Sequence, residues 1–195
     1  TQDYPLGPTL GQCCGGFVTL LFESVIQPKF HLALFGAGHV GKALVQCLSQ
    51  MPCQVTWVDN RPQEFPEQTA SHIQVKVSDF PVEEVADMPA DTYYLVLTHN
   101  HQLDLELAEA VLKRQDVAYL GVIGSKSKGA RFRHRLQHKG FDQKQIAQML
   151  CPMGETEIVS KQPGEIAISV LAQILKTKAK RESPTFDTIK KVESS

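Results

Sequence analysis

Short apolar runs alternate with amphipathic segments along most of the chain. Residues 31–35 form an apolar run that ends at a glycine, which is typical of a strand buried on both faces of a parallel sheet. The spacing that follows predicts a helix over residues 40–50, and the run at 54–59 predicts the next strand. Strand, helix and strand together make one βαβ unit.

The same alternation extends through the rest of the chain. Further strands are predicted over residues 17–22, 73–77, 93–98 and 117–123. Helices are predicted over residues 103–114 and 128–138. Another helix is expected to start at Asp142, an N-cap candidate with Gln145 three residues further on.

A last helix is expected to start near Pro163, whose fixed φ suits a first helical turn. Its apolar positions share one face: Ile166, Val170 and Ile174, with Ala167 and Leu171 beside them. Polar positions are expected on the opposite face: Glu165, Ser169, Gln173 and Lys176. The helix is therefore expected to pack against another part of the protein by its apolar face.

Strands that alternate with helices predict an α/β fold, with a Rossmann-like open and mostly parallel sheet and helices on both faces. Right-handed crossovers would bring the carboxyl ends of these strands to one edge of the sheet. Three loops are expected to meet there, at residues 36–41, 98–101 and 124–127.

The pattern also divides the chain into three parts. Residues 31–181 are expected to form the Rossmann-like domain, and the polar residues 182–195 a loose tail. Residues 1–30 are expected to be a Gly- and Cys-rich loop and strand at the edge of an upstream domain. The chain begins with Thr1 rather than with methionine, which favours such an upstream domain.

Composition and charge restrict the class of protein. Hydrophobic residues make up 42% of the 195 residues, a value of globular rather than disordered chains. The 20 basic and 21 acidic residues give a net charge of −1, which does not favour nucleic acid as a partner. No apolar stretch approaches the ~18 residues of a membrane span, and no signal peptide opens the chain. A cytoplasmic protein without a membrane partner is therefore expected.

A G-x-G-x-x-G fingerprint follows the first buried strand and consists of Gly36, Gly38 and Gly41, with His39 inside the loop. The first glycine permits a tight turn, the second lets the backbone approach a pyrophosphate, and the third lets the helix pack on the strand. Asp59 ends the next strand and is placed to accept from ribose hydroxyls, with Arg61 near any 2′-phosphate. The alternative is a Rossmann scaffold whose groove is empty or repurposed.

Two histidines, His99 and His101, follow the strand predicted over 93–98. Imidazoles at the carboxyl end of a strand suit acid–base chemistry or metal ligation. The alternative is that Asn100 or His101 caps the following helix. No third metal ligand is evident from the sequence.

The third loop contains Gly124, Ser125 and Lys126, followed by Ser127 and Lys128. Its backbone N–H groups, hydroxyls and ammonium groups suit an anion such as phosphate. Between Lys126 and Lys139 there are six Lys or Arg residues and no acid. This segment is either a solvated basic face or a docking face for an acidic partner or a phosphate-bearing cofactor.

Cys13 and Cys14 are adjacent in a glycine-rich loop, after Gln12 and before Gly15. An accessible thiolate pair could bind a soft metal centre or carry sulfur. A vicinal disulfide or two inert thiols is the alternative. The five cysteines match neither a zinc-finger pattern nor a disulfide framework, which favours a reducing compartment. Cys47, Cys53 and Trp57 are expected to be packing residues, and the role of Cys151 is open.

Taken together, these motifs resemble those of the XdhC/CoxI family, the xanthine dehydrogenase accessory proteins. The resemblance covers residues 10–175 and is most specific in the Gln-Cys-Cys-Gly-Gly run and in the His-x-His and Gly-Ser-Lys loops. Cys151-Pro152-Met153-Gly154 and the start of the last helix complete it. The chain departs from the family pattern at residues 155–161, whose acids make an anion contact there doubtful.

The resemblance implies a molybdenum cofactor chaperone rather than an enzyme. Such a protein binds molybdopterin, cooperates with a cysteine desulfurase that supplies the terminal sulfur, and hands the cofactor to the molybdenum-binding subunit of xanthine dehydrogenase. A homodimer and an upstream domain are also implied. Cys13 and Cys14 fall on the cysteine pair of the family and are expected to contact the molybdenum. The other expected cofactor-binding residues are Gln12, Gly36, Gly38, His39, Gly41, Asp59, His99, His101, Gly124, Ser125 and Lys126.

Two other functions fit the same residues. One is an NAD(P)-dependent oxidoreductase that binds its cofactor at the glycine loop and Asp59 and uses His99 or His101 as proton donor. The other is a nucleotide-sensing Rossmann domain with the same groove and no chemistry. Replacing Cys13 and Cys14 by serine is expected to disable a chaperone and to leave a dehydrogenase or a sensor nearly unaffected.

Overall fold

Six parallel strands form the central sheet of the computed structural model, which describes residues 2–6, 16–20, 30–158 and 160–183. The predicted sites Gln12, Cys13 and Cys14 lie outside the described residues, as does most of the predicted tail. The strands among the described residues are β1 (Gln2–Leu6), β2 (Gly16–Leu20), β3 (Phe30–Phe35), β4 (Cys53–Asp59), β5 (Ile73–Val77), β6 (Thr92–Val96), β7 (Val117–Val122) and β8 (Met149–Leu150).

The strand order of the large sheet is β5-β4-β3-β6-β7-β8, and every neighbouring pair is parallel. β1 and β2 form a separate antiparallel pair. In the large sheet β3 lies between β4 and β6, so the chain leaves β3 in one direction and later returns on its other side. Dinucleotide-binding folds place their ligands at the carboxyl ends of the strands beside such a switch point. The α/β class and the parallel, Rossmann-like sheet are confirmed.

Within the described ranges, five α-helices connect and cover the strands of the large sheet: α1 (His39–Leu48), α2 (His101–Lys113), α3 (Lys126–His138), α4 (Gln143–Ala147) and α5 (Pro163–Glu182). The capping box of Asp142 and Gln145 at α4 is present as predicted, and α5 starts at Pro163. Among the described helices, none has the length and apolar composition to cross a membrane.

Each face of the sheet has its own core. On one face α1 and α5 pack through Leu44, Leu48, Val170 and Ile174 against strand residues that include Trp57. On the other face α2, α3 and α4 pack against β6 and β7, with Leu107, Val111, Phe132 and Leu136 fully or almost fully buried. The central residues of β3, Leu32 to Phe35, are inaccessible on both faces, which explains the apolar run that predicted this strand.

The polar side of α5 differs from the prediction. Ser169 and Gln173 do not face solvent, because the loop after β8 packs along that side of the helix. The Ser169 hydroxyl donates to the carbonyl oxygen of Glu155, and the Gln173 amide hydrogen-bonds both to the Gly154 backbone and to the Tyr119 hydroxyl. Two apolar residues of α5, Ile168 and Leu175, are exposed instead.

The crossover from β4 to β5, residues 60–72, has no α-helix. It contains a single 3-10 turn, Pro62–Glu64, and otherwise irregular backbone. In the α/β architecture a crossover usually carries a helix that covers the sheet. Its absence leaves a cavity between this crossover and α1.

Candidate functional site

The three loops expected at the carboxyl edge of the sheet do meet there. The loops after β3 and β6 form a cleft of about 410 Å³, here called the edge cleft. Its lining residues are Gly38, His39, Val40, Arg61, Glu64, Leu97, Thr98, His99 and Ile123. The loop after β7 lines a neighbouring cleft of about 360 Å³ that also includes Ile123. The two clefts therefore adjoin across the switch point.

The three glycines of the fingerprint have different structural roles. Gly36 has a φ of +122°, and a Cβ there would lie 2.4 Å from the carbonyl oxygen of Leu97. A Cβ on Gly41 would lie 2.2 Å from the carbonyl oxygen of Gly36, so this glycine allows α1 to approach the turn. Within the described part of the chain, no atom lies within 4 Å of the position of a Cβ on Gly38. Gly36 and Gly41 are required by the fold, whereas Gly38 leaves open space for a ligand.

The first turn of α1 borders the edge cleft without a cap. Gly38 is the N-cap residue, no side chain of the described residues caps this end of the helix, and the first turn has no acidic residue. The first N–H groups of a helix have no partner within the helix, and they carry a partial positive charge. This turn can therefore bind an anion such as a phosphate.

Asp59 is buried at the end of β4 and accepts hydrogen bonds from the chain itself. The Ala37 N–H donates to Oδ2 at 2.6 Å, and the Arg61 N–H donates to Oδ1 at 3.0 Å. The Arg61 guanidinium adds two bonds of 2.9 Å, one to each oxygen. Burial alone would raise the pKa of Asp59, but the hydrogen bonds from Arg61 and Ala37 outweigh it and hold this pKa below its ordinary value.

This network gives Asp59 a structural role in addition to the predicted one. Its carboxylate ties the glycine loop to the end of β4, and Arg61 closes over it. A ribose hydroxyl could reach these oxygens only if Arg61 moved away. Ribose recognition by Asp59 therefore stays a prediction, and in this structure both oxygens are occupied.

The structure of the second loop shows which residue caps α2. Asn100 is the N-cap of α2, because its side-chain oxygen accepts from the N–H groups of Gln102 and Leu103 at 2.8 and 3.3 Å. His101 begins the helix and is exposed, outside both clefts. His99 lines the edge cleft and is the histidine of this loop that could act on a ligand there.

A buried ion pair, which sequence reasoning missed, joins the second and third loops. The Lys128 ammonium lies 2.5 Å from Oδ2 of Asp104, and both side chains are at most 5% exposed. Asp104 Oδ1 accepts from the backbone N–H and the hydroxyl of Thr98, and Lys128 also donates to the carbonyl oxygen of Ile123. The pair therefore fixes the loop that holds His99 against the loop after β7.

The expectation that Lys128 would offer its ammonium group to an anion is wrong, because Asp104 neutralises it inside the protein. A sequence signal for the pair did exist. Asp104 shares a helix face with Ala108 and Val111, and Lys128 shares one with Phe132 and Leu136. A charge at a core position of each helix predicts a buried partner.

In the rest of the third loop, one residue caps α3 and two others line the neighbouring cleft. Ser125 is the N-cap of α3, and its hydroxyl oxygen accepts from the Lys128 N–H at 3.2 Å. Gly124 has a φ of +156°, and a Cβ there would lie 2.5 Å from Cδ of Lys128. Lys126 is exposed and lines the neighbouring cleft together with Gly124. Lys126 is therefore the ammonium of this loop that can meet an anion.

The basic face of α3 is partly engaged within the chain. Arg133 donates to the carbonyl oxygen of Cys151, Arg135 to the side chain of Gln102, and Lys139 pairs with Glu109. Arg131 and Lys126 are exposed. These exposed cations leave open whether the face is solvated or docks a partner.

The described residues contain no group of three or more His, Cys, Asp and Glu side chains placed to hold a metal ion. Their free cysteines are Cys47, Cys53 and Cys151, and none of them lines either cleft. Burial raises the pKa of the Cys151 thiol, and the nearby Lys128 and Arg133 only partly oppose this. Cys151 is therefore a buried thiol, and the expected metal contacts, Cys13 and Cys14, lie outside the described residues.

Comparisons with known proteins agree on the family to which this chain is similar. A family model described as the XdhC Rossmann domain matches residues 32–174. "Uncharacterized protein YqeB" of Escherichia coli (strain K12) is 33% identical over 175 residues, which are 87% of this chain and 31% of that protein. A protein of Bacillus subtilis (strain 168) named as a probable xanthine dehydrogenase subunit is 27% identical over 166 residues, 82% of this chain and 46% of that protein.

A solved structure agrees with these sequence relatives. The crystal structure of a xanthine dehydrogenase from Bacillus halodurans has a TM-score of 0.67 and 28% sequence identity to this chain. The match covers 81% of this chain and 45% of the other. The chain therefore spans from about a third to about half of the length of the relatives that it matches.

Proposed function

This chain belongs to the family described as the XdhC Rossmann domain, and on that premise we propose that it binds a molybdenum cofactor, molybdopterin, and delivers it to xanthine dehydrogenase. A cysteine desulfurase cooperates with it, so that the molybdenum gains its terminal sulfur before delivery. Relatives named as a probable subunit of xanthine dehydrogenase and as a xanthine dehydrogenase support a role tied to that enzyme. In this role the cofactor is cargo and the chain is an accessory protein.

The open first turn of α1 is the observation that carries the proposal. It lines the edge cleft. None of the described side chains caps it, and none of the described atoms lies within 4 Å of the place where a residue other than glycine would have its Cβ at position 38. A phosphate of the cargo would accept hydrogen bonds from the N–H groups of this turn. Arg61 lines the same cleft, but Asp59 and Glu64 already engage its guanidinium. Lys126 is exposed and lines the adjoining cleft, so it can add a charge-assisted bond to an anionic ligand.

The described residues fit the phosphate end of molybdopterin. For the molybdenum end, the proposal assigns Cys13 and Cys14, because thiolates are suitable ligands for a soft metal centre and could shield a labile sulfur. None of the described free cysteines lines the clefts, so no competing thiol site arises from them. Gln12 would accompany the pair in the same loop.

A second candidate, NAD(P) binding by an oxidoreductase or a sensor, is favoured by the strand order. β3 lies between β4 and β6, as in dinucleotide-binding folds, and the fingerprint glycines are at the expected turn. Such a ligand would have to displace Arg61 from Asp59 before its ribose could be recognised. A dehydrogenase would use His99 as its proton donor, because His99 lines the cleft and His101 does not.

The deciding experiment compares both ligands on the same preparation. The full chain is purified without oxygen from cells that make molybdopterin, and the denatured material is assayed for pterin and for NAD(P). The chain is then mixed with cofactor-free xanthine dehydrogenase, and the recovery of enzyme activity is measured. Near-equal amounts of pterin and protein, together with recovered activity, are expected.

A variant with Cys13→Ser and Cys14→Ser separates the two candidates. It is expected to lose delivery of sulfurated cofactor, because the proposed metal contacts are removed, while its bound NAD(P), if any, stays unchanged. Cys47→Ser is the matched control, since this thiol lies on α1 away from both clefts. Bound NAD(P) without pterin, or full delivery by the double variant, would overturn the proposal.

A further inference from the structure

We infer that the cavity between α1 and the β4–β5 crossover, here called the crossover cavity, is a binding site for an uncharged bicyclic nitrogen heterocycle. It has a volume of about 510 Å³ and does not overlap the clefts at the switch point except at Glu64. Ligand pockets typically occupy about 300–1,000 Å³, with apolar walls and a few polar groups. The inference does not depend on the proposed function, because it concerns a different site.

The floor of the crossover cavity is apolar and rigid. Trp57 is fully buried, and Ile73 and Val45 are 4% and 7% exposed. Phe65 stands on the edge of the cavity, with its ring 4.9 Å from the Trp57 ring in an edge-to-face arrangement. Phe65 is half-buried and Pro66 is exposed, so a flat ring could pack on these two residues, above the buried layer of Trp57, Ile73 and Val45.

The rim supplies hydrogen bonds but no unbalanced charge. Lys42 and Glu64 are the charged residues of the lining, and their side chains pair with each other at 2.6 Å. Three exposed glutamines, Gln46, Gln63 and Gln68, also belong to the rim. Ser49 and Thr69 complete its polar part, and their hydroxyls donate to the backbone carbonyl oxygens of Gln46 and Ile73. Among the described residues, no hydrogen bond engages the side-chain amides of the three glutamines.

These rim groups determine the class of ligand. Each amide offers both donors and an acceptor, so the edges of a ligand should carry both types of group. A charged ligand would find no free counter-charge among the described residues of the lining, because Lys42 and Glu64 neutralise each other. Uncharged heterocycles with several ring nitrogens and an exocyclic oxygen meet both conditions. Purines and pterins share this chemistry, and the experiment below distinguishes these two sources.

Trp57 is a built-in reporter for this site. It is the single tryptophan of the chain, and it lies in the cavity floor. Its indole N–H donates to the carbonyl oxygen of Gly36 at 3.0 Å, which connects the cavity with the first glycine of the fingerprint. A ligand that packs on Phe65, whose ring contacts the Trp57 ring, should therefore change the tryptophan fluorescence of the chain.

The test is a titration of the full chain with hypoxanthine, and separately with pterin. Tryptophan fluorescence reports occupancy, and calorimetry gives stoichiometry and affinity. Saturable binding of one molecule per chain is expected for at least one of the two. The tighter of the two identifies the source, a purine or a pterin.

A glutamine variant places the binding in the crossover cavity. Gln46→Ala, Gln63→Ala and Gln68→Ala combined are expected to weaken binding about tenfold or more, since hydrogen bonds from three amides are lost. All three residues are exposed, so the variant should fold normally. Gln137→Ala, at an exposed position of α3, is the matched control and should bind like the parent chain.

Three outcomes would overturn the inference. One is the absence of saturable binding by both heterocycles. Another is equal affinity of the triple variant and the parent. The third is displacement of the heterocycle by inorganic pyrophosphate without any effect of the triple variant, which would place the ligand in the edge cleft. The chain purified from cells that make molybdopterin could also contain pterin, and the triple variant could contain the same amount. This result would support the proposed function and contradict only the binding site in the crossover cavity.

Discussion

Gly38 lines the edge cleft, yet the fold would tolerate another residue at this position. Its φ of −72° is accessible to any residue, and no neighbouring atom would meet a side chain. Gly36 and Gly41 lack this freedom, since a Cβ at either would collide with backbone oxygen. Substitution of Gly38 can therefore test phosphate binding without disturbing the turn.

Gly38→Asp is expected to remove the phosphate-bearing cargo while leaving the fold intact. The new carboxylate would cap α1, which stabilises a helix by a few tenths of a kcal/mol relative to glycine. It would also occupy the N–H groups of the first turn and repel a phosphate. We expect the pterin content of the purified chain to fall roughly tenfold or more, with an unchanged or higher temperature of unfolding.

Gly38→Asn is the matched control for charge, because asparagine has the same size and capping ability without the negative charge. A smaller loss of pterin is expected for it than for the aspartate variant. If both variants kept the parental amount of pterin, the phosphate would not lie at the first turn of α1.

The stability of the folded chain at acidic pH is expected to depend on Asp59. Its pKa in the folded chain is below the ordinary value of 3.8, so its stabilising effect is complete above that value and is lost as pH falls toward the folded pKa. Asp59→Asn is expected to lower the free energy of unfolding by roughly 2 kcal/mol at pH 7. This difference from the parent should shrink below about pH 4.

Urea unfolding at a series of pH values measures this difference. Asp79→Asn removes an exposed carboxylate and should follow the parent curve throughout. A parent–variant difference that stays constant down to pH 2 would show that the Asp59 carboxylate is not the group that the hydrogen bonds stabilise.

At the scale of elements, α2 and α3 are held together by the buried pair of Asp104 and Lys128. Lys128→Met is expected to lower the free energy of unfolding by about 3–5 kcal/mol, because it leaves the Asp104 carboxylate buried without its counter-charge. Lys126→Met, two positions away and exposed, should change it by less than about 0.5 kcal/mol. Urea unfolding of both variants makes the comparison.

A double variant separates the charge from the loss of packing. Lys128→Met with Asp104→Asn should recover part of the stability, since asparagine is uncharged and can still accept from Thr98. Equal losses for Lys128→Met and the double variant would mean that the packing of the lysine stem, rather than the ion pair, stabilises this contact.

Local patterns were sufficient to predict most of the elements, because each long strand or helix carries its own periodicity. The two-residue strand β8 is too short to have one. α3 begins at Lys126, before the first apolar position of the pattern, because Ser125 caps it there. The pattern of the last helix places Ser169 and Gln173 opposite its apolar face, because nothing in that helix shows that a distant loop covers this side.

The candidate site was predictable only where a single loop defines it. The fingerprint and the cap by Asn100 are local and could be derived from the sequence. The Asp104–Lys128 pair joins residues 24 positions apart on two helices, so its geometry depends on how the helices pack. The crossover cavity arises from a missing helix, and irregular segments have no periodicity that would predict it.

At the scale of the whole molecule, residues 30–183 contain both cores and all six strands of the parallel sheet. These residues are therefore expected to fold by themselves as the Rossmann-like domain. A fragment 30–183 should unfold in urea in one cooperative transition, with a free energy of unfolding within roughly 1 kcal/mol of that of the full chain. The full chain under identical conditions is the reference.

Two exposed apolar residues of α5 provide a test of whether residues 30–183 fold independently. Ile168 and Leu175 are 58% and 46% exposed and lie two turns apart on one helix face. If residues outside 30–183 pack on this face, the fragment should lose several kcal/mol, about 1.5–3 for each large apolar side chain that becomes uncovered. Replacing both residues by serine would then destabilise the full chain and leave the fragment unchanged. If the fragment matches the full chain, the same replacement should leave both unchanged, and residues 30–183 are an independent folding unit.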